Sequence, residues 1–215
     1  MSRAGSRTRG EVLRYESDRY RAWDQRLLER REARTVETLL ARAAARGDRI
    51  LDIPCGYGRF TRELSRRGSV LGADLRLEMV RRARERFGGV PPRSGPVPEI
   101  GYCVTEIERL PFPDGAFEGA VAIRLLQHFR QARRRLAALS ELARVSSRWV
   151  LVSAYSRAPL HRLTRRAKGV VRKDVPQGRL VGEMEEAGLA VMCIRRPLPG
   201  LHSQTFFLLR PHAPG

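Results

Sequence analysis

The residues best placed to do chemistry in this chain stand together between Ile50 and Phe60, in the run Ile-Leu-Asp-Ile-Pro-Cys-Gly-Tyr-Gly-Arg-Phe. An apolar run ends on Asp52, a tight turn carries Gly56 and Gly58, and Phe60 to Arg67 reads as a helix. A buried parallel strand followed by a glycine turn and a helix is how an open α/β sheet builds a nucleotide pocket. Glycine is needed there so that backbone can approach a ligand that a Cβ would push away. A dinucleotide fingerprint is Gly-x-Gly-x-x-Gly, with the third glycine packing the helix closely and a pyrophosphate on the helix N-terminus. Here the third position is Thr61, and the carboxylate of Asp52 ahead of the turn would repel a pyrophosphate. A positively charged cofactor suits this turn better.

Two later stretches bear on the same pocket. Val70-Leu71-Gly72-Ala73-Asp74 is a second apolar run ending in an acid. An acid about 20 residues after a glycine turn also reads the ribose in dinucleotide folds, so Asp74 alone does not discriminate. Glu106-Ile107-Glu108-Arg109-Leu110-Pro111-Phe112-Pro113-Asp114-Gly115-Ala116-Phe117 is the third stretch. In this order and spacing the three resemble the motifs of class I S-adenosylmethionine-dependent methyltransferases, of the methyltransferase type 11-like or ubiquinone/menaquinone methyltransferase-like kind. The resemblance runs from about residue 45 to the C-terminus. It departs from the family's pattern at Pro54, usually glycine, and at Glu106, usually aspartate.

The resemblance implies S-adenosyl-L-methionine as cofactor and assigns roles to particular residues. Asp52 would face the methionine amino group, and Pro54, Cys55, Gly56, Tyr57 and Gly58 would wrap the cofactor's near side. Asp74 would accept both ribose hydroxyls, with Leu75 beside it. Glu106 and Ile107 would meet the adenine, one polar and one apolar. Arg124 and Leu125, after the fourth strand, would lie against the cofactor, with His128 near its methyl end.

Methyl transfer from a sulfonium is an in-line displacement at carbon. The protein has to align nucleophile and methyl group, and to supply a base when the nucleophile carries a proton. His128 is the candidate base, because an unperturbed imidazole titrates near neutral pH. Each assignment has a plainer alternative. Asp52 could cap the following turn, Asp74 could be the N-cap of the helix from Leu77, Glu106 could be a solvated loop acid, and His128 could cap the next helix. Tyr15, Tyr20 and Trp23 could form a lid, although an aromatic stripe at helical spacing is more often core. No metal is expected.

The elements that must carry these residues follow from pattern. Helix is expected from about Gly10 to Ala45, with apolar stripes at Leu13, Tyr20, Trp23, Leu27 and Leu28 and then at Val36, Leu39, Leu40 and Ala43. Strands are expected at Arg49–Ile53, Val70–Asp74, Glu99–Val104, Gly119–Ile123, Trp149–Ala154, Leu189–Ile194 and Gln204–Leu209. Helices are expected at Phe60–Arg67, Leu77–Phe87, Gln131–Val145 and Arg179–Ala187. Gly88 to Pro98, with four prolines and three glycines, reads as a loop. The alternation predicts a Rossmann-like, doubly wound, seven-stranded and mostly parallel α/β sheet. Its last two strands, joined through Pro197 to Leu201, should form an antiparallel edge hairpin. Residues 1–45 read as a basic arm and helical cap, and residues 46–215 as the cofactor-binding domain.

A chain of 215 residues, 42% hydrophobic and 30% charged, is large enough for one core and is not a disordered composition. No apolar run approaches the roughly 20 residues of a membrane helix, and residues 1–10 lack the apolar stretch of a secretory signal. Cys55, Cys103 and Cys193 are widely spaced, which reads as reduced cysteines in a cytoplasmic protein. The formal charge of +19 points to an anionic partner or to compositional bias, since Lys168 and Lys173 are the only lysines among 42 basic residues. The basic stretch Arg157 to Lys173, with Leu160, Leu163 and Val170 interleaved, suits peripheral contact with a membrane surface or an anionic, amphipathic acceptor. A small-molecule acceptor is expected. Nucleic acid is disfavoured, because no Asn-Pro-Pro-Tyr-like motif or RNA-binding module is present and the one Pro-Cys pair, Pro54-Cys55, belongs to the glycine turn and is not read as catalytic. Acceptor atom and oligomeric state are left open.

Overall fold

A computed structural model describes residues 23–88, 99–155, 175–198 and 204–212, with side chains of the first helix described from Glu29 onward. The expected N-terminal arm, Tyr15, Tyr20, the side chain of Trp23 and the basic stretch Arg157–Lys173 lie outside the described residues.

The elements are α1 (Trp23–Ala43), β1 (Asp48–Asp52), α2 (Thr61–Ser65), β2 (Gly68–Asp74), α3 (Leu77–Phe87), β3 (Ile100–Val104), β4 (Phe117–Ala122), a single 3-10 turn (Leu126–His128), α4 (Ala132–Val145), β5 (Ser146–Tyr155), α5 (Gln177–Glu186), β6 (Leu189–Arg195) and β7 (Gln204–Pro211). They form one seven-stranded sheet in the order β3-β2-β1-β4-β5-β7-β6. The first five strands in that order run parallel, and β7 is antiparallel to both neighbours. The sheet is the expected doubly wound α/β one. Its last two strands pair as a hairpin, with β7 inserted between β5 and β6 so that β6 holds the edge.

Side chains along each central strand alternate between two cores, as a sheet covered on both faces requires. Ile50, Val121, Leu151, Phe206 and Leu208 face one core, which also takes Val36, Leu39 and Leu40 of α1 and Leu64 of α2. Leu51, Ala120, Ala122, Val150, Val152, Phe207 and Leu209 face the other, against Leu139 and Leu142 of α4 and Leu180 and Met184 of α5. Burial of each such Leu, Ile or Val stabilises by roughly 1.5–3 kcal/mol, so α1 is held to the sheet by its own apolar face.

Asp48 fixes the base of the site. Its carboxylate, 4% exposed, accepts from Ala45 N–H (3.0 Å), Trp149 Nε1–H (3.0 Å) and Arg148 Nη1–H (2.9 Å). Trp149 stands on β5 and reaches β1 across β4 only because Gly119 lies beneath its ring. A Cβ at Gly119 would come within 2.0 Å of that ring. This bond ties β1, β4 and β5 into a fixed register, and the residues at their carboxyl ends inherit it.

Candidate active site

The chain leaves β1 toward β2 on one side, while β4 pairs on the other. The crevice beyond the carboxyl ends of β1 and β4 is therefore the topological switch point where such sheets bind ligands. Asp52 is the last residue of β1, in register with Gly72 on β2 and Val121 on β4. It is 2% exposed, and its Oδ2 has no hydrogen-bond partner among the described residues. Burial, reinforced by the charges of Asp74 and Glu63, pushes its pKa up to about 8. The alternative in which Asp52 merely caps its turn is not what the structure shows.

The turn after Asp52 is held by backbone. Ile53 N–H donates to Val121 O (2.9 Å), Cys55 N–H to Ala73 O (2.8 Å) and Gly58 N–H to Cys55 O (3.0 Å). Gly56 and Gly58 adopt φ of +55° and +80°, the left-handed region that glycine enters without strain. They serve different ends. A Cβ on Gly56 would meet nothing, so this backbone faces open space, whereas a Cβ on Gly58 would lie 2.7 Å from the Phe87 ring. Gly56 leaves room for a ligand, and Gly58 lets α3 close on the turn. Pro54 is half-buried and Cys55 is buried, with burial raising the Cys55 thiol pKa so that it stays protonated and inert. Tyr57 is buried beneath Arg86, whose guanidinium lies 5.2 Å from the ring centroid.

Asp74, 3% exposed at the end of β2, accepts from Gly56 N–H through Oδ2 (3.1 Å) and from Arg76 N–H through Oδ1 (2.9 Å). It is not the N-cap of α3, a position held by Arg76 without a side-chain cap bond. Each carboxylate oxygen keeps acceptor capacity beyond these bonds, enough for a pair of hydroxyls. Beside it, Leu75 (54% exposed) and Val104 (48%) offer apolar surface at the ends of neighbouring strands. Ile107 is buried, while Glu106 is exposed, with Arg134 Nη2 3.9 Å from its Oε1. Glu106 is thus the least constrained of the three acids.

Beyond β4, Arg124 takes a φ of +60° and donates its N–H to Ser153 Oγ (3.0 Å). Leu125 is half-buried and leads into the 3-10 turn. His128 ends that turn, exposed, with its N–H on Leu125 O (2.9 Å). It does not cap α4, whose N-cap is Gln131 with no side-chain cap bond.

The structure adds one residue that the motifs do not name. Glu32 of α1 is fully buried and forms ion pairs with both Arg59 of the glycine turn and Arg124 beyond β4. Burial opposes the charge on Arg59, yet Glu32 more than compensates and its pKa ends above the ordinary value. The signal was available in the helix period: extending the stripe of Val36, Leu39 and Leu40 back one turn lands on Glu32. An acid on a buried face needs a partner. Among the described residues no His, Cys, Asp and Glu group could hold a metal ion, and no helix is long and apolar enough to cross a membrane.

Residues 50–148, which carry every one of these site residues except Glu32, match the family model of a methyltransferase domain. Over that span, a little under half of its length, the chain is similar to methyltransferase domains. Among curated proteins, an O-methyltransferase, cnsE, of Penicillium expansum is 32% identical over 127 residues, covering 58% of this chain and 45% of that protein. The ubiquinone/menaquinone biosynthesis C-methyltransferase UbiE of Yersinia pestis is 36% identical over 77 residues, 34% of this chain and 29% of that protein. The chain thus spans less than half the length of the curated relatives it matches. Among solved methyltransferase structures, magnesium protoporphyrin IX methyltransferase from Synechocystis PCC 6803, with bound SAH, superposes with a TM-score of 0.76. That match covers 94% of this chain and 97% of the other at 15% identity, and so is a likeness of fold.

Proposed function

We propose that this protein transfers a methyl group from S-adenosyl-L-methionine to an O, N or C atom of a small-molecule acceptor. The observation that carries the reading is the orphaned carboxylate of Asp52, buried at the switch point beside a glycine turn with open space above Gly56. An unpaired buried acid is costly, and a cationic ligand relieves that cost. The residues present fit this cofactor: Asp52 would take the ammonium, Asp74 the ribose hydroxyls, and Leu75 with Ile107 the faces of the adenine. Glu106 would accept from its amino group, and the backbone of Pro54 to Gly58 with Arg124 and Leu125 would close the near side. When bound, the cofactor supplies an electrophilic methyl on sulfur. The chain's task is then to hold the acceptor in line and remove its proton, and we assign that proton to His128.

The division into a cap, residues 1–45, and a binding domain, residues 46–215, belongs to the same reading, as does a cytoplasmic location. The similarity to a relative named as a ubiquinone/menaquinone C-methyltransferase supports a second reading, in which the acceptor is amphipathic and is met at a membrane surface through Arg157–Lys173. Calorimetry with S-adenosylmethionine, its demethylated product and NAD tests cofactor class. Labelled methyl transfer into fractionated host lysate then tests the acceptor. Binding of the first two but not NAD, with label in a small-molecule fraction, is expected. Tight NAD binding or label confined to RNA would contradict the reading, and label confined to the lipid fraction would favour the second one.

A further inference from the structure

A second concave feature lies away from the cofactor crevice, between the flank of α1 and the carboxyl end of β6. It is a cavity of about 290 Å³ whose walls carry Arg31 and Arg34 from α1 and Arg195 and Arg196 from the end of β6, with Thr35 and Thr38 between them. We propose that this groove binds a small molecule bearing a phosphoryl or pyrophosphoryl group.

Charge is the first argument. Elsewhere in the described residues some arginines are matched to acids, among them Arg135 with Glu183 at 2.5 Å, Arg144 with Glu141 at 2.8 Å, Arg49 with Glu118 at 2.8 Å and Arg148 with Asp48 at 2.9 Å. Others, such as Arg62, Arg81 and Arg84, form no ion pair with a described residue; the groove differs in that its arginines line one hollow. None of the four groove arginines forms an ion pair with a described residue. Four guanidinium groups converging on one hollow without an acid repel one another, and a multiply charged anion is what offsets this. Guanidinium is also the side chain whose planar fork matches adjacent phosphoryl oxygens.

Preorganisation is the second. Arg196 donates from Nη2 to Gln177 Oε1 and from Nε to Thr205 Oγ1 (3.3 Å), which fixes its plane and leaves three N–H groups for a ligand. Thr35 and Thr38 spend their hydroxyl protons on the Arg31 and Arg34 carbonyls of their own helix, each at 2.8 Å. The donors facing the groove are therefore the arginines.

Shape decides between partners. A hollow of this volume is at the lower edge of the small-ligand range, whereas a duplex calls for an extended basic stripe and a bilayer for exposed apolar anchors. Pro197, the one apolar side chain of the wall, is buried. Strand direction gives the location. Because β7 is antiparallel to both β5 and β6, β6 runs parallel to β1. Arg195 thus sits on the same rim as Asp52, four strands away at about 4.8 Å each, roughly 19 Å.

The test is calorimetric titration of the full chain with inorganic pyrophosphate, repeated on Arg31→Gln/Arg34→Gln and on Arg195→Gln/Arg196→Gln. A charge-matched control, Arg81→Gln/Arg84→Gln, changes exposed arginines of α3, and thermal melting checks folding. One-to-one binding is expected for wild type and control, weakened at least tenfold in each groove variant, with S-adenosylmethionine binding within about twofold throughout. The two groove pairs lie on different elements, so loss of fold in one leaves the other to decide. Equal weakening in the control, or absence of pyrophosphate binding at low salt, would overturn the proposal. So would an RNA duplex or anionic vesicles that bind through these arginines and are not displaced by pyrophosphate.

Discussion

Three acids of similar chemistry carry three different burdens because their surroundings differ. Asp74 is buried and accepts from Gly56 N–H of the glycine turn and from Arg76 N–H ahead of α3, so Asp74→Ala removes a ligand acceptor and frees two donors. Cofactor binding should weaken by roughly 1–3 kcal/mol in calorimetry. Glu106 is exposed and loosely paired, and Glu106→Gln should cost less than about 1 kcal/mol in the same assay. A reversed order would mean that the adenine end, not the ribose end, holds the cofactor. Asp52 is set apart by its raised pKa. With a folded value of about 8 against an ordinary value near 4, the folded protein binds the extra proton between these limits. Its contribution to stability is full below about pH 4 and is lost as pH rises through about 8. Asp52→Asn should therefore melt higher than wild type at pH 8 while binding S-adenosylmethionine more weakly; equal melting curves would place the carboxylate outside this account. His128 is exposed at the rim and is not the N-cap of α4, so His128→Ala should lower turnover by roughly 10²–10⁴ with cofactor affinity unchanged. Unchanged turnover would leave the proton to another group.

At the level of elements, α1 is locked to the two loops that frame the crevice. Glu32 is the common partner of Arg59 and Arg124, which are 13% and 17% exposed. Glu32→Gln removes the shared ion-pair partner of two mostly buried guanidinium charges. Denaturant unfolding should show a loss toward the lower end of about 3–5 kcal/mol. Glu37→Gln, which breaks an exposed pair with Arg66 on the same helix, should change stability little. Similar effects from both would show that Glu32 contributes only as a surface charge. The strands and helices themselves were legible because apolar period and glycine punctuation are local signals: α3 spans Leu77–Phe87 and β2 ends on Asp74 as read, while β1 ends on Asp52, one residue before the expected Ile53. Glu32 was harder, because its partners lie 27 and 92 residues away and helix period gives a face but no partner. The insertion of β7 beside β5 was equally hidden, since alternation marks a strand without naming its neighbours. The 3-10 turn at Leu126–His128 is too short to leave a period.

For the whole molecule, the sheet order makes one crevice at β1 and β4, and the arginine excess is distributed rather than aimed at it. Acids near the crevice and along the helices absorb some arginines, others such as Arg62, Arg81 and Arg84 form no ion pair with a described residue, and four unmatched ones line the α1/β6 groove together. The sequence showed the charge of +19 but not this sorting, which depends on which side chains meet. The central claim is that a buried, largely protonated Asp52 is the acceptor of a cationic cofactor. Calorimetric titration of S-adenosylmethionine at pH 7, in buffers of different ionisation enthalpy, tests it most directly. Binding should release most of one proton in wild type and almost none in Asp52→Asn, and wild-type affinity should rise between about pH 6 and 7.5. Tight binding without proton release, or an Asp52→Asn variant that binds as wild type does, would contradict it.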